Sequence, residues 1–262
     1  MSGSRWDDLA VRLGSGAALV VLGLGAVWLG GLWFHALIAA ICGVMVWELV
    51  VMLDAGRQRS QYLLAGVTAA AAMIAIELPP AFALPLLLAP SMLGLGRMQT
   101  GGVTYAVFTA TILMAGYGMM ALRDDFGLWW MLWLVLVVVV TDVGGYFAGR
   151  TFGGPKLWPR VSPKKTWSGA IAGWLGAAVV GLLFSGTDGA GLGLIGISIA
   201  VSMASQIGDI TESAIKRRAG VKDSSNLLPG HGGLLDRFDG MLGAALFIVI
   251  AGQIVNFPPG VS

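Results

Sequence analysis

Charge is scarce in this chain. Only 11% of its 262 residues are Asp, Glu, Lys or Arg, against about 25% in a soluble domain. Histidine occurs twice, at His35 and His231, and cysteine once, at Cys42. A single cysteine excludes an internal disulfide, and its place inside an apolar run argues against a nucleophilic role. No Gly-x-x-x-x-Gly-Lys-Ser/Thr loop occurs, which argues against a P-loop ATPase. Gly-x-Ser-x-Gly and His-Glu-x-x-His are missing too, so neither a serine-hydrolase elbow nor a zincin helix is indicated. A net charge of +2 is too small for a nucleic-acid binder.

Apolar sequence fills the space that charge leaves. Hydrophobic residues make up 56% of the chain, and 40 glycines suit close packing between membrane helices. Apolar runs of spanning length recur throughout. Nine candidate spans fall at about 11–29, 32–53, 61–77, 80–95, 102–121, 127–149, 168–185, 190–209 and 240–257. The fold class is therefore all-α: a polytopic membrane protein forming one transmembrane domain over 1–262. Residues 1–125 hold N-terminal spans for packing, dimer contact or lipid access; 126–262 form the half that carries the chemistry. The third and fourth spans are short and flank Pro79-Pro80, so they either tilt or form a hairpin that does not fully cross. No cleavage site follows the first run, which reads as a retained span.

Charge placement orients the spans. With the N-terminus in the cytoplasm, only Arg123 of the 16 lysines and arginines falls outside, as the positive-inside rule expects. Two polar loops, 150–167 and 210–239, then share the cytoplasmic face. The tryptophans, such as Trp129, Trp130 and Trp158, read mostly as interfacial belts.

The loop from Asp209 to Asp239 holds five acids and five bases. Charge at that density needs water or a ligand. Carboxylates mixed with Lys and Arg suit a metal-bound polyphosphate: the acids hold the cation and the bases hold phosphate oxygens. On a helix continuing past Asp209, the residues Asp209, Glu212, Ser213 and Lys216 share one stripe. Asp209 follows a long apolar run and needs a partner, either a metal ion or a lysine. Lys216, Arg217 and Arg218 also suit a snorkelling helix end. Lys222 and Asp223 precede Pro229-Gly230-His231-Gly232-Gly233, where glycines let backbone N–H groups approach an anion. His231 is either a phosphate or metal-site partner or an ordinary loop histidine. Asp236 and Asp239, with Arg237 between them, are three apart, so both carboxylates face one way on a helix; one of them could simply cap it.

Upstream, Asp142 sits among Val, Gly and aromatic residues, and membrane carboxylates are functional by default. Ser162-Pro163-Lys164-Lys165-Thr166 suits phosphate, or a positive-inside anchor. Glu48, near the end of the second span, is expected to pair with a base; His35 reads as a packed or interfacial histidine.

Together, Ser213-Ala-Ile-Lys216-Arg217, Lys222-Asp223, Leu228-Pro229-Gly230-His231-Gly232-Gly233 and Asp236-Arg237-Phe238-Asp239 resemble the signature of phosphatidate cytidylyltransferases, also called CDP-diacylglycerol synthases. The resemblance extends through Gln206-Ile-Gly208-Asp209, Ser162 to Thr166 and Asp142 to Gly149, roughly the C-terminal half. One departure is Ser168, where the family pattern has Glu. The resemblance implies transfer of CMP from CTP to phosphatidic acid, releasing pyrophosphate. It implies Mg²⁺, with K⁺ as a second ion, a homodimer, and an active site on the cytoplasmic side of the inner membrane. By the same resemblance, Asp209, Asp236 and Asp239 hold the metal. Lys216, Arg217, Lys222, Asp223, His231 and Arg237 act in catalysis, and Asp142, Ser162, Lys164, Lys165, Thr166, Gly232 and Gly233 bind substrate phosphate. Other readings are an ion-coupled transporter, whose acids would spread across membrane depth, and a CTP-dependent isoprenoid-lipid kinase or cytidylyltransferase.

Overall fold

The computed structural model describes residues 3–54, 56, 58–228 and 232–254. Among the described residues there are nine α-helices, each overlapping one of the apolar runs: α1 Gly3–Leu29, α2 Gly31–Leu53, α3 Gln58–Ala75, α4 Pro80–Leu95, α5 Gly102–Phe126, α6 Leu128–Phe152, α7 Trp167–Phe184, α8 Gly193–Arg218 and α9 Leu235–Ala251. Five of them, α2, α5, α6, α7 and α8, are long and apolar enough to cross a membrane; Gly16–Leu29 and α4 are shorter apolar helices. The chain is thus an all-helical protein with several spans.

Local chemistry sets the boundaries. Pro80 opens α4 at its first position, where the missing N–H costs nothing. Gly127 (φ 88°) separates α5 from α6, and Gly153 (φ 60°) ends α6; both conformations are cheap only for glycine. The segment read as a loop over 150–167 instead begins as the last turn of α6 and then forms an antiparallel hairpin. In it β1 (Lys156–Trp158) pairs with β2 (Ser162–Thr166). The loop read over 210–239 contracts at both ends, because α8 runs on to Arg218 and α9 begins at Leu235. Contacts one helical turn apart support that extension: Ser213 Oγ donates to Asp209 Oδ1 at 3.4 Å, and Lys216 Nζ meets Glu212 Oε2 at 2.5 Å.

The chain divides into two compact units, Met1–Met120 with Ala219–Phe238, and Ala121–Arg218 with Asp239–Ser262. In the first, α2 packs on α3 and α3 on α4. Phe34, Met45, Leu49, Leu64, Tyr105, Ile112 and Leu113 are fully buried. A Cβ on Gly116 would stand 2.6 Å from Cys42 Sγ, so α5 and α2 touch only because glycine lies there. Cys42 is free and buried, as its apolar setting implied.

In the second unit α6, α7 and α8 pack pairwise. A Cβ on Gly169 would stand 2.6 Å from the Gly145 carbonyl, which fixes the close approach of α6 and α7. Side-chain hydrogen bonds cross between helices: Trp133 Nε1 to Ser198 Oγ at 2.9 Å, Thr141 Oγ1 to Ser202 Oγ at 2.7 Å, and Trp174 Nε1 to Gln206 Oε1 at 3.0 Å. Such bonds contribute about 0.6 kcal/mol each in a membrane. Trp129 and Trp158 are exposed, as interfacial residues are. Trp130 corrects the sequence reading: it is buried, edge-on to Trp133, and donates to Asp188 Oδ2 at 2.9 Å.

Candidate functional site

The second unit gathers the acids of three helices around one lysine. Asp209 lies on the polar C-terminal part of α8, which ends at Arg218. Its partner is Lys165, whose ammonium forms an ion pair with Asp209 Oδ2. The expectation that Asp209 needs a partner is met here by a lysine. On β2, Lys165 is half-buried while its neighbour Lys164 is exposed.

Thr166, next along the strand, caps α7. Its hydroxyl accepts from Gly169 N at 3.2 Å. Ser168, where a carboxylate was expected, closes the hairpin onto α6 by donating to the Gly153 carbonyl at 2.5 Å. These two hydroxyls hold β2, and therefore Lys165, against the polar end of α6.

Asp239, on α9, completes the group. A Cβ on Gly208 would run into the Asp239 carbonyl, and one on Gly243 into the Ala204 carbonyl. Backbone therefore meets backbone where α8 and α9 cross, which brings Asp239 beside Asp209. Burial first, then the Asp209 charge, push the Asp239 carboxyl up to about 7. Asp142 on α6 adds to the push, while the Gly240 N–H, donated at 2.7 Å, and Lys165 oppose it. The charges of Asp209, Asp142 and Lys165 thus all act on Asp239.

Among the described residues, no three His, Cys, Asp or Glu side chains form a complete metal cage. The donor set still fits Mg²⁺, which keeps several waters and takes one or two carboxylates plus substrate phosphates. Asp209 and Asp239 would supply those carboxylates.

Other residues of the sequence-predicted site take different places. Lys216 is buried and paired with Glu212, which is itself fully buried. Arg217 is exposed, and Ser162 is half-buried at the start of β2.

The first unit holds the signature loop between α8 and α9. Lys222, Asp223 and Arg237 are exposed on it. Asp236, in the first turn of α9, points one oxygen back into the loop. Its Oδ2 accepts from Ser224 N at 2.9 Å, Ser224 Oγ at 3.0 Å and Gly233 N at 2.7 Å. Gly232 (φ 83°) turns the chain, and its carbonyl accepts from Leu228 N at 2.8 Å. Gly233 leaves no room for a side chain, since a Cβ there would stand 2.5 Å from Glu48 Oε1. His231 lies outside the described residues.

Glu48 is the residue whose role the sequence reading missed. It is fully buried on α2 and pairs with no base among its observed partners. Four donors converge on it instead: Ser225 Oγ at 2.6 Å and Leu234 N at 2.8 Å on Oε1, Leu235 N at 2.7 Å and Ser224 Oγ at 3.2 Å on Oε2. An acid inside an apolar span was the available signal. Nothing local named donors 176 to 187 positions away.

Known proteins resemble this chain over most of its length. The model of the cytidylyltransferase family matches residues 10–255. A phosphatidate cytidylyltransferase of Brucella suis biovar 1 (strain 1330) is 37% identical over 265 residues, covering 96% of each chain. One from Haemophilus influenzae is 44% identical over 128 residues, 46% of this chain and 44% of that protein. One from Bacillus subtilis (strain 168) is 43% identical over 122 residues, 45% of each. A match of this extent, over a chain whose acids and bases meet at the polar ends of its helices, makes the protein a member of the cytidylyltransferase family.

Proposed function

We propose that the chain transfers CMP from CTP to phosphatidic acid, giving CDP-diacylglycerol and pyrophosphate. The observation that carries this reading is the Asp209–Lys165 pair with Asp239 and Asp142 around it, in a chain similar over 96% of its length to a phosphatidate cytidylyltransferase.

The nucleophile is the substrate. A phosphate monoester has a second pKa of about 6 and is ionised near neutral pH, so no protein base is needed. A phosphatidate oxygen bonds to the α-phosphorus of CTP, and the bond from that phosphorus to the β-phosphate oxygen breaks. Pyrophosphate departs with the electron pair. The barrier is repulsion between two polyanions, so the protein's work is neutralisation and in-line positioning.

Lys165 would hold a phosphate oxygen once Asp209 turns to a cation, and Lys164 and Arg217 are exposed on the same unit. Mg²⁺ bound at Asp209 and Asp239 would supply charge neutralisation on the phosphates. Resemblance assigns Asp236 to the metal as well, and Lys222, Asp223, His231 and Arg237 to catalysis.

The positive-inside distribution supports nine spans with the N-terminus and both polar loops in the cytoplasm, where CTP is found, while the acyl chains stay in the bilayer. The assembly carried over from the resemblance is a homodimer.

Purified protein incubated with phosphatidic acid and CTP labelled with phosphorus-32 at either the α or the γ position tests the reaction. Label from the α position should enter lipid. Label entering from the γ position would mean a lipid kinase, and ion flux through proteoliposomes without CTP consumption would mean a transporter.

A further inference from the structure

We infer that Glu48, on a transmembrane helix of the N-terminal half, is the positioning residue for the signature loop. The inference rests on the cytidylyltransferase reading for what the loop does, but not for how the loop is held.

Glu48 holds the loop at both ends. Ser224 and Ser225 lie just after Lys222 and Asp223, while Leu234 and Leu235 lead into Asp236 and Arg237. Ser225 Oγ, Leu234 N and Leu235 N donate to the two oxygens of this one side chain, and the single Ser224 hydroxyl proton is divided between Glu48 Oε2 and Asp236 Oδ2. The Leu234 and Leu235 donors are backbone N–H groups of the first turn of α9, which have no partner within the helix. A carboxylate is the only side chain that is acceptor-only on both oxygens, and here every oxygen site faces a donor. Ser224 Oγ lies within hydrogen-bond distance of both Glu48 Oε2 and Asp236 Oδ2, so the loop's own carboxylate joins the same clasp. Gly233 lies against both Ser224 Oγ and Glu48 Oε1 and admits no side chain. Ser224, Ser225, Leu234 and Leu235, on either side of the loop, are therefore held by one residue that stays buried.

This arrangement predicts an order of variants that packing alone would reverse. Glu48→Gln keeps the shape but turns an N–H₂ toward N–H and O–H donors. Glu48→Asp loses a methylene but remains acceptor-only. If Glu48 acts through its acceptors, activity falls in the order Glu, Asp, Gln; if it acts by filling volume, the order is Glu, Gln, Asp. Asp54→Asn is the control: Asp54 caps the same helix and accepts from Gln99 N at 2.9 Å, away from the loop.

The experiment combines hydrogen exchange with kinetics on full-length protein in mixed micelles. In Glu48→Gln, amides over 224–238 should exchange roughly 10- to 100-fold faster, as expected for losing a hydrogen bond to a charged acceptor, with α2 and α5 still protected. The kcat per folded protein should fall about 10- to 100-fold, as for residues that orient a reactive group, with KM for phosphatidic acid unchanged. Ser225→Ala should give a smaller effect in the same direction, and it serves as the test if Glu48→Gln does not fold. Wild-type exchange over 224–238 in Glu48→Gln, or wild-type kcat despite faster exchange, overturns the inference, as does the packing order of variants. An inactive wild type would defeat the functional reading and leave the exchange result standing.

Discussion

Lys165 and Asp209 form an ion pair between the second strand of a short hairpin and the polar end of α8. Neither partner is fully exposed, with 26% of each side chain accessible. The pair sits beside Asp239, whose carboxyl is raised by burial and by the Asp209 charge. Taking away either partner leaves an uncompensated charge in a crowded acidic site, which is where losing one member of a pair costs most.

Asp209→Asn should therefore abolish turnover while the protein still inserts and folds. Lys165→Met should lower kcat roughly 100- to 1,000-fold, about 2.7–4 kcal/mol of transition-state stabilisation, the range for one lost oxyanion donor. Steady-state assays with labelled CTP check both. Metal-dependent activity surviving in Asp209→Asn would remove that residue from the site.

The raised carboxyl of Asp239 gives a stability prediction with a definite sign. Its folded value of about 7 lies above the ordinary value of 3.8, so the folded chain holds this proton more tightly than the unfolded chain. Its contribution is fully present below about pH 4 and is lost as pH rises through about 7. Metal-free protein should lose stability over that window, and Asp239→Asn should flatten this part of the profile. Thermal unfolding in EDTA across pH 4 to 8 reads it; identical slopes in wild type and Asp239→Asn would contradict the proposed setting.

Mg²⁺ withdrawal should stop the reaction reversibly. Chelation with EDTA should reduce CMP transfer to background and added Mg²⁺ should restore it, because one lysine cannot offset three acids and a triphosphate. The same withdrawal should leave α6, α7 and α8 folded, since their packing is apolar and interhelical. Circular dichroism beside the activity assay separates the two.

Helix crossing sets the site's geometry, so a methyl group at the crossing should disturb it. Gly208→Ala or Gly243→Ala would force α8 and α9 apart, at a cost of about 1–3 kcal/mol for overpacking. We expect a lower melting temperature and a loss of activity larger than the loss of stability explains. Gly196→Ala, where a Cβ meets nothing within 4 Å, should do neither.

Hydropathy made the helices legible because each run is long and uniform, and every described helix overlaps one of those runs. The continuation of α8 was legible from the three- and four-residue spacing of Asp209, Glu212, Ser213 and Lys216. The hairpin was not. Lys156–Trp158 and Ser162–Thr166 are too short and too polar for strand periodicity, and Pro163 argues against a strand except at an edge. Trp130 was misread because ring size alone does not separate a belt tryptophan from a core one; the partner that decides it, Asp188, is 58 positions away. Glu48 failed for the same reason. Its need for partners was plain, but the partners are two serine hydroxyls and two backbone amides 176 to 187 positions away. The residues resembling a family signature were legible as a set. Which of them touch was not: Lys165 and Lys164 are adjacent, and burial along β2 does not alternate, so strand period singles out neither.

Isotope tracking of the transferred oxygen tests the central claim most directly. Phosphatidic acid labelled with oxygen-18 on its terminal phosphate oxygens, supplied with unlabelled CTP and purified protein, should give CDP-diacylglycerol that retains all the label, one atom of it bridging the two phosphorus centres. The pyrophosphate should carry none. Oxygen-18 in the pyrophosphate, or label lost from the lipid to water, would contradict direct attack by the lipid phosphate on the α-phosphorus of CTP.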